Sequence, residues 1–122
     1  MLLQIQTRHI EPDITVVEFS GRIVLGAEVR NLETLVQDLL CRNEKKLIFD
    51  LTGLEYIDSS GIGVITLCFS MMKKASGSLR LAGAQGKVWQ QFKMTRLDTV
   101  LAFYPTVEAA CEGFAATPKS GG

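Results

Sequence analysis

The order of its periodicities predicts an α/β sandwich with a mixed sheet. Two β-rich runs come first with no helix between them, and helical and strand-like patterns then alternate to the C-terminus. No internal repeat or interior linker interrupts that alternation, and 122 residues suit one domain with a modest core. The domain is expected over residues 1–116, with Thr117-Pro118-Lys119-Ser120-Gly121-Gly122 as a flexible tail.

The elements follow in chain order. Leu3-Gln4-Ile5-Gln6 alternates as a short strand does, and Thr7-Arg8-His9 reads as a solvated turn. Glu11-Pro12-Asp13 is a second turn signal, so Ile14–Phe19, ending at Ser20-Gly21, completes a hairpin. Over Ala27–Leu40 the apolar residues Val29, Leu32, Leu35, Val36, Leu39 and Leu40 recur at helical spacing. Leu47–Leu51 is a short apolar run of the kind a buried strand needs. A helix starting at Asp58 or Ser59 runs to about Ala75, and Leu79–Ala82 is another strand. A weaker helix spans roughly Gly86–Met94, Val100–Phe103 makes a last strand, and Thr106 caps a final helix with Val107, Ala110, Cys111 and Phe114 inward.

Composition removes several function classes. Thirteen lysines and arginines balance thirteen aspartates and glutamates, so nothing electrostatic favours nucleic acid or an anionic membrane as main partner. Another protein is the expected partner, and near-zero net charge leaves a weak homodimer open. Cys41, Cys68 and Cys111 are far apart without a CxxC, as in a reducing compartment, and Cys68 sits in an apolar run as a small buried hydrophobe. His9 is the single histidine, which leaves little room for a zinc site or a Ser-His-Asp triad, and no cofactor is expected. The N-terminus is too short and polar for a signal peptide, and no run approaches 18 apolar residues, so a cytoplasmic protein is expected.

The chemistry concentrates in Leu51–Leu67, where a strand-like run meets Asp58-Ser59-Ser60-Gly61 and then a helix. A helix start exposes backbone N–H groups without intrahelical partners, and aspartate and serine oxygens accept from them. Capping accounts for Asp58 but not for two serines followed by Gly61 and Gly63. Each glycine costs about 1 kcal/mol against alanine in a helix interior. Small residues there admit either the preceding strand or a partner surface. A phosphate on Ser59 would meet the unpaired N–H groups and the positive end of the helix dipole. It would add roughly −1.5 to −2 charges beside Asp58. Further along, Ile62, Ile65, Phe69 and Met72 make one apolar stripe, and Val64, Leu67, Cys68 and Met71 a second, for a neighbouring helix or a partner.

These residues resemble the STAS domain family, most closely its small single-domain anti-sigma-factor antagonists. Leu47-Ile48-Phe49-Asp50-Leu51, Ile57-Asp58-Ser59-Ser60-Gly61-Ile62-Gly63-Val64 and the later Val88–Leu97 segment carry the resemblance, which covers about residues 2–116. It implies a STAS-type sandwich, a mixed four- to five-stranded sheet with about four helices mainly on one face. It also implies a protein without catalysis of its own, which binds an anti-sigma factor that is also a serine kinase and so frees a sigma factor. Ser59 corresponds to the phosphorylated serine, restored by a PP2C-type phosphatase, with Asp58, Ser60, Gly61, Ile62 and Gly63 at the contact. Two positions depart from the family pattern. Val24 stands where kinase substrates of the family carry an aspartate, and Arg96 where a glycine is common.

Other readings stay open at this level. The same surface serves a constitutive STAS scaffold or transport-complex subunit that is never phosphorylated. Asp50 and Asp58 could pair as acid and base. The chain has no G-x-x-x-x-G-K-[ST] loop and no G-x-G-x-x-G after a strand, though a nucleotide at the Asp58 helix start is a further alternative.

Overall fold

Strand residues alternate between the two faces of a sheet, and the second strand shows the consequence. Val17, Phe19 and Ile23 enter one core, while Ile14 and Val16 enter another on the opposite face. A strand buried on both sides must lie inside the sheet. In the computed structural model, which describes residues 3–23 and 27–115, that strand is β2 (Ile14–Ile23). It pairs antiparallel with β1 (Gln4–Ile10), from Gln4 opposite Ser20 to Ile10 opposite Ile14, and parallel with β3 (Lys46–Ile57). Next come β4 (Ser78–Ala82) and β5 (Ala102–Tyr104), each parallel to the strand before it, so the sheet order is β1-β2-β3-β4-β5.

That order decides where the helices go. Three crossovers step one strand each in the same direction, by way of α1 (Ala27–Cys41), α2 (Ser59–Lys74) and α3 (Gly86–Met94). Right-handed crossovers made in one direction put every connecting helix on one face. Leu32, Val36 and Leu39 of α1, Ile65, Cys68 and Met72 of α2, and Val88 and Phe92 of α3 accordingly share one core with Phe19, Phe49 and Leu81. The last helix, α4 (Val107–Ala115), has no strand to return to and takes the other face. There Val107, Ala110 and Phe114 cover Ile14, Val16, Ile48 and Ala82. The mixed sheet with helices mainly on one face thus matches the expectation. Thr106 caps α4 as expected, its Oγ1 accepting from the Ala109 N–H at 3.1 Å.

Four boundaries differ from the sequence reading. The second strand does not end at Ser20-Gly21 but runs on to Ile23, because Ser20 to Ile23 stay paired with β3. Thr7-Arg8-His9 is not a turn but the second half of β1, paired with Val17, Val16 and Thr15. An edge strand can keep polar side chains in water while its backbone pairs inward. The strand expected over Leu47–Leu51 continues to Ile57, because β2 and β3 stay paired past the centre of the sheet, as far as Ile23 opposite Ile57. The last strand starts two residues late, at Ala102, and leaves Val100 exposed. The C-terminal tail lies outside the described residues.

One buried polar group ties the lower end of the sheet to the chain leaving α1. Thr15, on β2, has no exposed surface, and its hydroxyl donates to Glu44 Oε1 at 2.5 Å. A buried hydroxyl without a partner would be costly, so the carboxylate belongs to the core's polar accounting. That hydrogen bond, helped by His9 Nε2 at 3.4 Å from Oε2, holds the Glu44 carboxyl below its ordinary pKa, although partial burial opposes it. A depressed carboxylate stabilises the fold above its unfolded pKa and loses that contribution as pH falls through the folded value. Glu44→Gln is therefore expected to lower the melting temperature at neutral pH. The gap to the native protein should close as pH drops below the ordinary carboxylate range, as thermal unfolding across a pH series will measure.

Candidate functional site

The site forms where β3 becomes α2, and one carboxylate organises it. Asp58 has an extended backbone, φ −99° and ψ −175°, which turns the chain from strand into helix. Its N–H donates to the Ile23 carbonyl at 3.0 Å, fixing the junction to the end of β2, and its own carbonyl accepts from the Ile62 N–H at 3.0 Å. Asp58 Oδ1 accepts from the Gly61 N–H at 3.0 Å, which is the capping bond an N-cap aspartate makes. The same oxygen accepts from the Ser60 hydroxyl at 2.6 Å.

That second bond separates the two serines. Ser60 is half-buried and its hydroxyl is engaged with Asp58. Ser59, the first helical residue, is exposed, and its hydroxyl has no hydrogen-bond partner among the described residues. The difference was readable in principle: an aspartate two residues before a serine offers it a local acceptor.

The two glycines separate as well. A Cβ on Gly61 would lie 2.5 Å from Ile23 Cγ2 and 2.6 Å from Ile57 Cγ1, so the helix start is pressed onto the ends of β2 and β3. A Cβ on Gly63 would meet nothing within 4 Å. Gly61 is therefore a packing glycine, and Gly63 is an opening on the surface. Ile62 is 6% exposed and lies in the core under α2. Of the five residues expected at a contact around Ser59, Gly61 and Ile62 are buried, because the helix start seats on Ile23 and Ile57, while Gly63 is exposed and Asp58 and Ser60 are half-buried. Ile23, which forms the floor of the site through both its carbonyl and its side chain, had no signal in the sequence beyond the smallness of Gly61.

Along α2 the exposed positions Ser59, Gly63, Leu67, Ser70 and Lys74 recur every three or four residues and form one outer line, with Leu67 41% exposed. The second apolar stripe mostly serves the neighbouring helix. Val64 and Cys68 are buried, α1 packs against α2, and only Leu67 reaches solvent to a large extent. Burial, reinforced by the Glu33 charge, pushes the Cys68 thiol up to about 12, so it stays protonated and unreactive at neutral pH.

Other candidates fall away by geometry. Asp50 spends its carboxylate on Thr52, accepting from the N–H at 3.1 Å and from the hydroxyl at 2.6 Å. It lies within β3, eight residues before Asp58, which follows the last residue of that strand. At about 3.3 Å per residue that is roughly 25 Å, too far for an acid–base pair. Among the described residues no group of three or more His, Cys, Asp or Glu is placed to hold a metal ion. No helix among them is long and apolar enough to cross a membrane. Val24 lies outside the described residues. Arg96 has φ 63° and ψ 19°, the left-handed conformation that glycine adopts freely, so the arginine keeps the turn after α3 at a cost of about 1–2 kcal/mol.

The STAS domain family model matches residues 4–110, a span that runs from β1 into α4 and includes this junction. The chain belongs to the STAS domain family. Among STAS proteins, the anti-sigma-B factor antagonist of Bacillus subtilis is 30% identical over 101 residues, covering 83% of this chain and 90% of that one. An anti-sigma factor antagonist from Mycobacterium paratuberculosis has the same fold, with a TM-score of 0.81 at 19% identity over 92% of this chain and 93% of its own. The phosphorylated form of SpoIIAA, a Bacillus cell fate determinant, superposes with a TM-score of 0.71 at 16% identity over 91% of this chain and 99% of its own.

The two STAS glycines give opposite expectations for one substitution. Gly61→Ala forces a methyl into Ile23 and Ile57 and is expected to destabilise by about 1–3 kcal/mol. Gly63→Ala, in open space on a helix, is expected to stabilise by about 1 kcal/mol. Urea unfolding of both variants measures the difference in sign.

Proposed function

We propose that this STAS protein is an anti-sigma-factor antagonist of the cytoplasm, switched at Ser59. In its unmodified form it docks the start of α2 on an anti-sigma factor that is also a serine kinase, and so frees a sigma factor. Phosphorylation of Ser59 by that kinase ends the docking, and a PP2C-type phosphatase restores it. The observation that carries this reading is the contrast between neighbouring hydroxyls. Ser59 is exposed and without a hydrogen-bond partner among the described residues at the positive end of a 16-residue helix, whereas Ser60 is bonded to Asp58. The names of relatives support it, since the Bacillus subtilis and Mycobacterium paratuberculosis proteins are both anti-sigma factor antagonists.

The switch needs no rearrangement of the fold. The contact is with the outer line of Ser59, Gly63 and Leu67, flanked by Asp58 and Ser60; Gly61 and Ile62 support it from inside. Gly63 lets a partner's backbone approach α2 closely. A phosphate at Ser59 adds about −1.5 to −2 charges beside the Asp58 carboxylate. Amides of the first helical turn and the helix dipole stabilise that charge within the protein. A partner seated on Gly63 receives no such compensation. It meets a bulky dianion where a neutral hydroxyl had been.

The test is incubation with a cognate anti-sigma kinase and ATP, followed by mass mapping of the phosphate and binding measurements. Wild type and Ser60→Ala are expected to be labelled at residue 59, Ser59→Ala to stay unlabelled, and Ser59→Asp to bind the anti-sigma factor at least about tenfold more weakly, the equivalent of about 1.4 kcal/mol. Unlabelled wild type with tight binding would instead identify a constitutive docking subunit.

A further inference from the structure

The sheet has two outer edges, and they are unlike. β5 is three residues long and is followed at once by Pro105, so it offers little to a pairing strand. β1 is seven residues long and holds an unbroken register with β2 from Gln4 to Ile10. Proteins blunt such edges with proline, lysine, bulges or short strands. Gln4-Ile5-Gln6-Thr7-Arg8-His9-Ile10 contains no proline and no lysine, and its pairing with β2 has no bulge. Gln6, Thr7, Arg8 and His9 are all exposed. Its one permanent charge is already neutralised, for Arg8 Nε lies 2.6 Å from Glu18 Oε2. The strand is also anchored from within, since Ile5 packs on the larger core and Ile10 on the smaller.

We propose that β1 is a self-association edge, at which a second copy of this chain pairs antiparallel about a two-fold axis through Thr7 and joins the two five-stranded sheets into one. The strand's own sequence selects this occupant and this register. Thr7 is the midpoint of β1, so pairing about it engages all seven residues. Gln4 then faces Ile10 of the second copy, Ile5 faces His9, Gln6 faces Arg8 and Thr7 faces Thr7, and no like charges are opposed. Threonine opposite threonine is a favourable cross-strand pair, whereas an axis through Arg8 would oppose two guanidinium groups. Each Arg8 stays paired with Glu18 of its own copy, so the guanidinium that faces Gln6 of the second copy brings no unpaired charge into the seam. With net charge zero, no long-range repulsion keeps the copies apart. The start of α2 follows β3, two strands away from this edge, so the paired form presents two Ser59 sites. The inference stands independently of what Ser59 binds.

Sedimentation velocity of the full chain, from micromolar to near-millimolar concentration, tests it. Wild type is expected to pass from monomer to dimer. Thr7→Lys, which opposes two ammonium groups on the axis, is expected to raise the dissociation constant about tenfold or more with an unchanged circular dichroism spectrum. In a Cys41→Ser, Cys111→Ser background, Thr7→Cys is expected to form a disulfide-linked dimer on mild oxidation and Gln4→Cys is not, because only residues on the axis bring their Cβ atoms within bridging distance. The cross-linking arm stays informative if Thr7→Lys fails to fold. A wild type that is monomeric throughout, a dimer indifferent to Thr7→Lys, or equal cross-linking at both positions would overturn the proposal.

Discussion

Everything at the candidate site depends on how Asp58 is held. Its N–H is fixed by the Ile23 carbonyl, and its Oδ1 takes both the Gly61 amide and the Ser60 hydroxyl. With those three bonds the chain has one way to leave β3 and start α2. The same carboxylate that caps the helix also withdraws one serine from solvent and leaves the other presented. Selection between two adjacent hydroxyls therefore needs no recognition by a partner. It is built into the cap.

The packing beneath the cap explains why the first turn is so tightly specified. Gly61 brings the helix start down onto Ile23 and Ile57, the last residues of two paired strands. Those strands reach that far because β2 and β3 remain paired beyond the sheet's centre, supported on one side by Leu51, Leu54 and Ile57 in the larger core. The three same-handed crossovers then place α1 beside α2, so α2 buries Val64 and Cys68 sideways and keeps only a narrow outer line in water. The exposed line of Ser59, Gly63, Leu67, Ser70 and Lys74 is what remains after the helix has satisfied the sheet below and the helix alongside.

Much of this was legible in the sequence. The hairpin, the helical stripes of α1, the start of α2, the whole of α3 and the Thr106 cap follow from periodicity and turn chemistry, which act locally. The pattern around Asp58 to Gly63 also pointed to the right junction. What could not be read depended on distant partners. Thr7-Arg8-His9 looked like a turn because its polarity was visible and its pairing with β2 was not. Leu47–Leu51 looked like a complete strand because the polar residues after it are tolerated only by pairing with Ser20 to Ile23. Gly61 and Gly63 are identical letters two positions apart, and only the nearness of Ile23 and Ile57 distinguishes the packed glycine from the exposed one.

The central claim is that Ser59 can carry a dianion while the cap and the fold beneath it stay as they are. The most direct measurement compares backbone amide chemical shifts of the unmodified protein with those of protein carrying phosphoserine incorporated at position 59. The account predicts shifts confined to the first turn of α2 and the adjoining ends of β2 and β3, with the Gly61 amide still hydrogen-bonded. Widespread shifts through β2, β3 and α1, or loss of the Gly61 hydrogen bond, would contradict it.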